Sequence, residues 1–336
     1  MKFKKIYSSR RSFVLAVATA ALLPQLALSQ TSSWPTQTVR LVVATGPGSQ
    51  TDLIARVLAP KLSSMWKQSV VVENKAGAGG IIGTEYTLGA NDGHTLLLAS
   101  PSLLLAKYTT PELRFDPLTD LTPVYRVFNT PVVFVTNDKT AQRAKTMADL
   151  VALSKSTPQG IFFGGAGSTS FFTVSMAAMA KPIGLNYSPI DYSGVGPMVI
   201  DLLRDDTQLV LSGYLSVKGQ IEAKQLHPLA VVDSTRLAGI PDVPTLEEAV
   251  GYKGFLPLSW GGIFVPKGTP VPVVNRIAQS FTSLYADGPA RKELEARLAG
   301  AGTLVDSSPA QFAKEYAQEA DVWQKTLASL GMTVSK

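Results

Sequence analysis

The sequence predicts an α/β protein in which mostly parallel sheets are covered on both faces by helices. Three observations predict it. Short apolar runs rich in β-branched residues and free of internal charge recur along the chain, and stretches with helical apolar spacing separate them. Gly-rich turns followed by good capping residues repeatedly join one kind of segment to the other. That alternation is the pattern of strand–helix units stacked into parallel sheets.

The first 29 residues stand apart. Lys2, Lys4, Lys5, Arg10 and Arg11 precede the apolar run FVLAVATAALLPQLAL, which ends in small residues near Ala27 and Ser29. This is the pattern of an export signal cleaved close to residue 29, and it places the mature chain outside the cytoplasm. Ser9-Arg10-Arg11-Ser12-Phe13 leaves both the general secretory and the twin-arginine routes open. Of the 31 basic and 25 acidic residues, five basic and no acidic ones lie in this leader, so the remainder carries 26 against 25, a net of +1. The high calculated isoelectric point therefore belongs to the signal and gives no support to nucleic-acid binding. With no cysteine, disulfides, thiolate metal sites and a lipid-anchored cysteine are excluded. The length left over suits two domains of ordinary size.

In chain order the predicted strands are VRLVVA (39–44), SVVVEN (69–74), HTLLLAS (94–100), TPVVFVT (130–136), GIFFGG (160–165), TQLVLSG (207–213), HPLAVV (227–232) and GGIFVP (261–266). Helices are expected at 52–66, 81–90, 146–156, 170–180, 197–204, 216–224, 272–286, 289–299 and 309–330. The first of these has Leu53, Ile54, Val57, Leu58, Leu62 and Met65 at helical spacing, but Pro60 removes an interior hydrogen bond and predicts a kink or a break. The Pro- and Gly-rich stretch 237–270 reads as loops flanking one extended strand that crosses between domains.

Four turns sit between a strand and a helix: ATGPGSQTD (44–52), NKAGAGGIIG (74–83), GGAGSTSFF (164–172) and DYSGVGPM (191–198). Thr51 or Asp52, Ser168 or Ser170, and Pro197 are the candidate cap or first-turn residues. Helix starts present unpaired N–H groups and a partial positive charge, so each turn is a potential anion site. Nucleotide readings fail on detail. The first turn lacks the lysine of a P-loop, and the glycines at 77, 79, 80 and 83 do not have dinucleotide spacing. A smaller anion held by backbone amides fits better.

Neither catalytic machinery nor a metal-ligand set is expected, and no cofactor. His94 and His227, the two histidines, read as strand-edge residues, and no H-E-x-x-H, G-x-S-x-G or carboxylate-rich metal loop occurs. A cleft with donors but no titratable machinery binds and releases.

The ordered set VRLVVATGPGSQTDLIARVLAPKL, VVVENKAGAGGIIGTE, NDGHTLLLAS, FGGAGSTSF, YSGVGPMVIDLL, LAVVDSTR, IPDVPTLEEA and SWGGIFVPKGTP resembles the tripartite tricarboxylate transporter substrate-binding proteins, or Bug receptors. The match runs from about residue 34 to the C-terminus. It implies a two-lobed periplasmic binding protein of the Venus flytrap type, with 30–128 and 256–336 as one lobe and 129–255 as the other. It also implies a receptor that takes a small carboxylate and delivers it to integral-membrane permease subunits, and a monomer is expected.

The resemblance places the binding residues at Thr45, Ser49, Gln50, Thr51 and Asp52 in the first loop, and at Gly165, Ala166, Gly167, Ser168, Thr169 and Ser170 in the second. The third loop supplies Tyr192, Gly194, Val195 and Gly196, with Ser100 and Ser102 as further candidates. This chain departs from the family's pattern in three ways. Thr45 stands where an aromatic is usual, Ser49 and Gln50 where glycines are, and the second loop is shortened with Phe171 near the place of a histidine. These changes point to a more apolar cleft, suited to an aromatic or long aliphatic dicarboxylate over citrate, unless Phe162, Phe163, Phe171 and Phe172 belong to the core. A carboxylate-sensing subunit of a signalling system and an exported α/β hydrolase or transferase remain the alternative readings.

Overall fold

The computed structural model describes residues 34–167, 169–298 and 302–332, so the predicted export signal and Ser168 lie outside the described residues. The chain from Gln37 onward forms one compact unit. Among the described residues no helix is long and apolar enough to cross a membrane.

Two sheets organise the unit. The first contains β1 (Val39–Val43), β2 (Val70–Asn74), β3 (Thr95–Ala99), β4 (Leu121–Thr130), β10 (Ser259–Pro266) and β11 (Thr303–Leu304), in the spatial order β11-β4-β10-β3-β1-β2. The second contains β5 (Val132–Asn137), β6 (Ile161–Gly165), β7 (Tyr187–Asp191), β8 (Leu209–Gly213) and β9 (Leu226–Val232), ordered β7-β6-β8-β5-β9. Both carry helices: α1 (Gln50–Trp66), α2 (Ile81–Gly89), α3 (Ser102–Thr109), α4 (Asp138–Ala141), α5 (Met147–Ser154), α6 (Phe171–Ile183), α7 (Val195–Leu203), α8 (Tyr214–Glu222), α9 (Leu246–Val250), α10 (Val271–Tyr285), α11 (Pro289–Leu298) and α12 (Pro309–Ser329).

The α/β class and the two lobes are as the sequence predicts, but the sheets are mixed rather than mostly parallel. β1 runs parallel to β2 and β3, and β6 parallel to β7 and β8. β10 is antiparallel to both β3 and β4, β11 to β4, and β5 to both β8 and β9. The cause is the double crossing of the chain. β4 leaves the first sheet and passes into β5 through Pro131 alone, whereas β10 brings the chain back, so the two crossing strands run in opposite directions and pair Ser259 with Thr130.

Helices on both faces explain why the strands read as unbroken apolar runs. In β5, Val132 and Phe134 enter a core with Phe163, Met176 and Leu150, while Val133 and Val135 enter a second core with Val199, Leu202 and Tyr214. α1 is continuous through Pro60, which lies on its exposed face. There the carbonyl of Arg56, deprived of its helical partner, can bond to water, so the predicted break is unnecessary. The C-terminal α12 packs on β4 and α3. Its Trp323 meets Phe171 of α6 at 5.8 Å and Phe255 at 5.1 Å between ring centres, both edge to face.

Candidate functional site

The strands that end at the gap between the sheets deliver their carboxyl ends to one cavity of about 630 Å³. β1, β3, β6 and β7 are each followed there by a loop and a helix start, and β8 runs directly into its helix, so that α1, α3, α6, α7 and α8 all open on it. Ligands bind at this edge of α/β sheets because helix N-termini point their unpaired amides into the crevice.

Most of the predicted residues line this cavity. Thr45, Ser49, Gln50 and Thr51 come from the first loop, Ser100 and Ser102 from the turn before α3, Ala166, Gly167, Thr169 and Ser170 from the second loop, and Tyr192, Gly194, Val195 and Gly196 from the third. Ser168 lies outside the described residues.

Two predicted residues do not reach the cavity. Gly165 is the buried last residue of β6, and it accepts the Tyr192 amide at 2.8 Å through its carbonyl. A side chain there would run into Thr173, with Oγ1 at 2.6 Å from a Cβ, so packing accounts for this glycine. Asp52 is 2% exposed and turns back on its own loop. It accepts the Gly48 amide at 2.9 Å, Arg56 at 2.9 Å and Asn74 at 3.0 Å. Burial alone would raise its carboxyl, but Arg56, the Gly48 amide and Asn74 together hold it below the usual carboxylate range. The cap of α1 is Ser49, whose Oγ accepts the Asp52 amide, and the cap of α6 is Ser170, whose Oγ accepts that of Thr173.

The cavity has further lining residues: Ser216 and Ser259 were not anticipated, while Ser193 belongs to the third predicted loop and the 74–83 turn was a predicted anion site. Ser193, Ser216 and Ser259 add hydroxyls, and Ala76 to Gly80 form a rim from the first-sheet side. Gly77, Ala78, Gly79 and Gly80 are four consecutive residues with positive φ, between 47° and 132°, and the Gly77 carbonyl accepts the Gly80 amide at 3.0 Å. The glycines of AGAGG were the signal for this left-handed turn, since other residues adopt such backbone only at a cost.

The lining contains no Lys, Arg, His, Asp or Glu among the described residues. Lys75, the one cation in these loops, stands 4.4 Å over the Tyr86 ring and 3.6 Å from Glu73. His94 is buried and its Nδ1 lies 2.8 Å from the Asp92 carbonyl, while His227 pairs with Asp138; neither lines the cavity. On the first-sheet side Thr45, Ser49 and Thr51 form a hydroxyl cluster, with Thr45 to Ser49 at 2.6 Å and Ser49 to Thr51 at 3.1 Å.

The four phenylalanines divide. Phe163 has a fully buried ring, Phe171 is buried but borders the cavity, Phe162 is half-buried away from the cavity, and Phe172 is half-buried on the cavity wall. Beside it stands Tyr192; burial, with the Asp201 carboxylate near its hydroxyl, pushes its pKa up to about 12.

The two sheets' loops touch on both sides of the cavity. A Cβ placed on Gly79 would lie 3.1 Å from Thr169 Oγ1, and one on Gly196 would lie 3.7 Å from the Pro47 carbonyl. The Phe171 amide donates to Ser102 Oγ at 3.0 Å.

Comparison with known proteins places this architecture. BugT of Bordetella pertussis is 32% identical over 320 residues, which cover 94% of this chain and 95% of BugT. Among solved structures, R. palustris Rpa4515 with adipate has a TM-score of 0.83 at 26% identity, covering 89% of this chain and 99% of that one. The periplasmic binding protein BugD has a TM-score of 0.82 at 27% identity, with the same coverage of 89% and 99%. The family model described as tripartite tricarboxylate transporter family receptor matches residues 54–330. With that match over most of its length, the chain belongs to the tripartite tricarboxylate transporter receptors, the Bug family.

Proposed function

We propose that this chain is a periplasmic receptor that closes on a small carboxylate in the cavity between its two sheets and hands it to the membrane subunits of a tripartite transporter. One observation carries the reading: five helix starts and a set of hydroxyls converge on a cavity without a single charged side chain among the described residues. Such a site stabilises a carboxylate through amides and hydroxyls and offers no general base to attack it. Residues 30–128 and 256–336 form one lobe and 129–255 the other, a division supported by the crossings at Pro131 and before Ser259. The leader is removed near residue 29, and the receptor works as a monomer. The ligand shifts the population toward the closed form because both lobes contact it only there.

The helix starts are not equivalent. α1 already has the ionised Asp52 in its first turn, which opposes its dipole from within. α6 and α7 have no acidic residue in their first turns. A ligand carboxylate therefore sits against α6 and α7, its body lies along Phe172 and Tyr192, and a second carboxylate faces Ser100 and the Ala76–Gly80 rim. This suits a dicarboxylate with an aliphatic or aromatic body. Apolar contact contributes about 25 cal/mol per Å² buried, whereas an extra charged group on an apolar wall loses its partners at about 1–3 kcal/mol. Adipate bound to the similar Rpa4515 is consistent with this class.

Calorimetry of adipate, benzene-1,4-dicarboxylate and citrate against the mature chain is the test. Tight stoichiometric binding of one of the first two with the ligand recovered unchanged is expected. Citrate binding tightest would overturn the assigned ligand class, absence of heat with all carboxylates would overturn the receptor reading, and turnover would replace it with an enzyme.

A further inference from the structure

Gln50, the first residue of α1, is 5% exposed, and its amide extends to two distant parts of the chain. Nε2 donates to Ser259 Oγ at the start of β10, where the chain re-enters the first sheet. Oε1 is buried and has no hydrogen-bond donor among the described residues. It rests on Gly213, the last residue of β8 in the second sheet. A Cβ at Gly213 would lie 1.9 Å from Oε1 and 2.7 Å from Cδ of Gln50. The Cα hydrogen that a side chain would replace thus points at the amide oxygen, which receives a weak C–H···O contact in place of an N–H.

Gly213 is not a glycine for backbone reasons. Its φ of −64° and ψ of 131° are open to any L residue. A side chain there would meet the Gln50 amide from the other side of the cleft and push it off its hydrogen bond to Ser259. Gly213 is fixed by its pairing with Val132 in β5, and Gln50 by the helix that packs on β1 and β2. A side chain anchored to one sheet therefore occupies the Cβ position of a strand end in the other.

We propose that Gln50 is a positioning residue for lobe closure: its amide seats on the bare Cα of Gly213, and that seat sets how closely the two lobes approach at the cavity floor. The seat is available only in the closed form; on opening, Gly213 withdraws and Oε1 gains water. The ligand-binding readout of this inference rests on the carboxylate-receptor reading, but the conformational readout does not.

The test is a cycle of Gly213→Ala, Gln50→Ala and the double variant in the mature chain. Gly213→Ala should weaken adipate binding at least fivefold while the melting temperature without ligand stays within about 3 °C. Adding Gln50→Ala should restore affinity to within threefold of Gln50→Ala alone, because the vacated space accepts the methyl. The native chain has no cysteine, so spin labels at Glu85→Cys and Ala223→Cys report inter-lobe distance by pulsed EPR without ligand. Gly213→Ala should enrich the longer distance, and the double variant should reverse it. Unchanged distances in Gly213→Ala, or no reversal in the double variant, overturn the proposal. If distances respond as expected but adipate never binds the parent chain, the carboxylate reading fails and the positioning role stands.

Discussion

Ser102 and Phe171 are joined across the cleft: the amide of Phe171, the first residue of α6, donates to the hydroxyl of Ser102, the first residue of α3. Both residues are buried, so the amide has no water to replace this partner. Ser102→Ala should leave a buried unpaired N–H in the closed form alone, at a cost of about 1 kcal/mol, or roughly a fivefold loss of carboxylate affinity. The melting temperature without ligand should hardly move. Calorimetry and a thermal melt read both, and unchanged affinity would mean that this bond is not part of closure.

Asp52 should matter for stability, not for ligand contact. Asp52→Ala strips the Gly48 amide and Asn74 of a buried partner and should cost about 2–4 kcal/mol. The sign of its pH effect follows from a folded pKa below the unfolded 3.8. Its stabilisation is present above that value and is lost as the pH falls through it toward the depressed folded value. Denaturant melts of the parent and variant at pH 7 and pH 3 should therefore converge at the acid end. A constant gap between them would refute the assignment.

Glu319 should act with the opposite sign. It lies on α12, where Trp260 Nε1 donates to it at 2.7 Å and Trp323 Nε1 at 3.3 Å. Burial raises its carboxyl above the ordinary 4.5, although Arg126 and the two indoles pull the other way. Because the folded form then binds the proton more tightly than the unfolded chain, the stability from Glu319 is full below 4.5 and declines as the pH rises through the raised value. Glu319→Gln should flatten that decline while losing one indole hydrogen bond. Denaturant titrations at pH 5 and pH 8 give the slope, and an equal slope in both proteins would exclude a raised pKa.

These pairs show why some of the molecule was legible in the sequence and some was not. Strands buried on both faces, such as β3 with Leu96, Leu97 and Leu98, announce themselves as apolar runs. β7 does not, because YSPID is a half-buried edge strand whose Pro189 would be excluded from a sheet interior. α3 was missed because Ser102 to Ala106 are all buried, which erases the one-sided stripe that marks a helix. The loops of the site were visible through glycines and caps, which act locally. The inward turn of Asp52 could not be read locally, because its direction is settled partly by Asn74, which is 22 residues away. Ser259 could not be placed at all, since it meets Gln50 across 209 residues. The antiparallel strands depend on the direction of the crossings, which apolar pattern does not encode.

Tyr192 lines the cavity, and the Asp201 carboxylate lies near its hydroxyl. If the ring is the ligand contact, Tyr192→Phe should bind adipate within threefold of the parent. Tyr192→Ala should lose the apolar contact, worth about 1–2 kcal/mol or a five- to thirtyfold drop in affinity. The pKa of about 12 adds an independent check, because the phenol stays neutral well past the range of an ordinary tyrosine. Affinity measured at pH 7 and at pH 10 should therefore show no step attributable to this residue, and Tyr192→Phe should have the same pH profile as the parent. If Tyr192→Phe instead loses as much as Tyr192→Ala, the hydroxyl and not the ring holds the ligand.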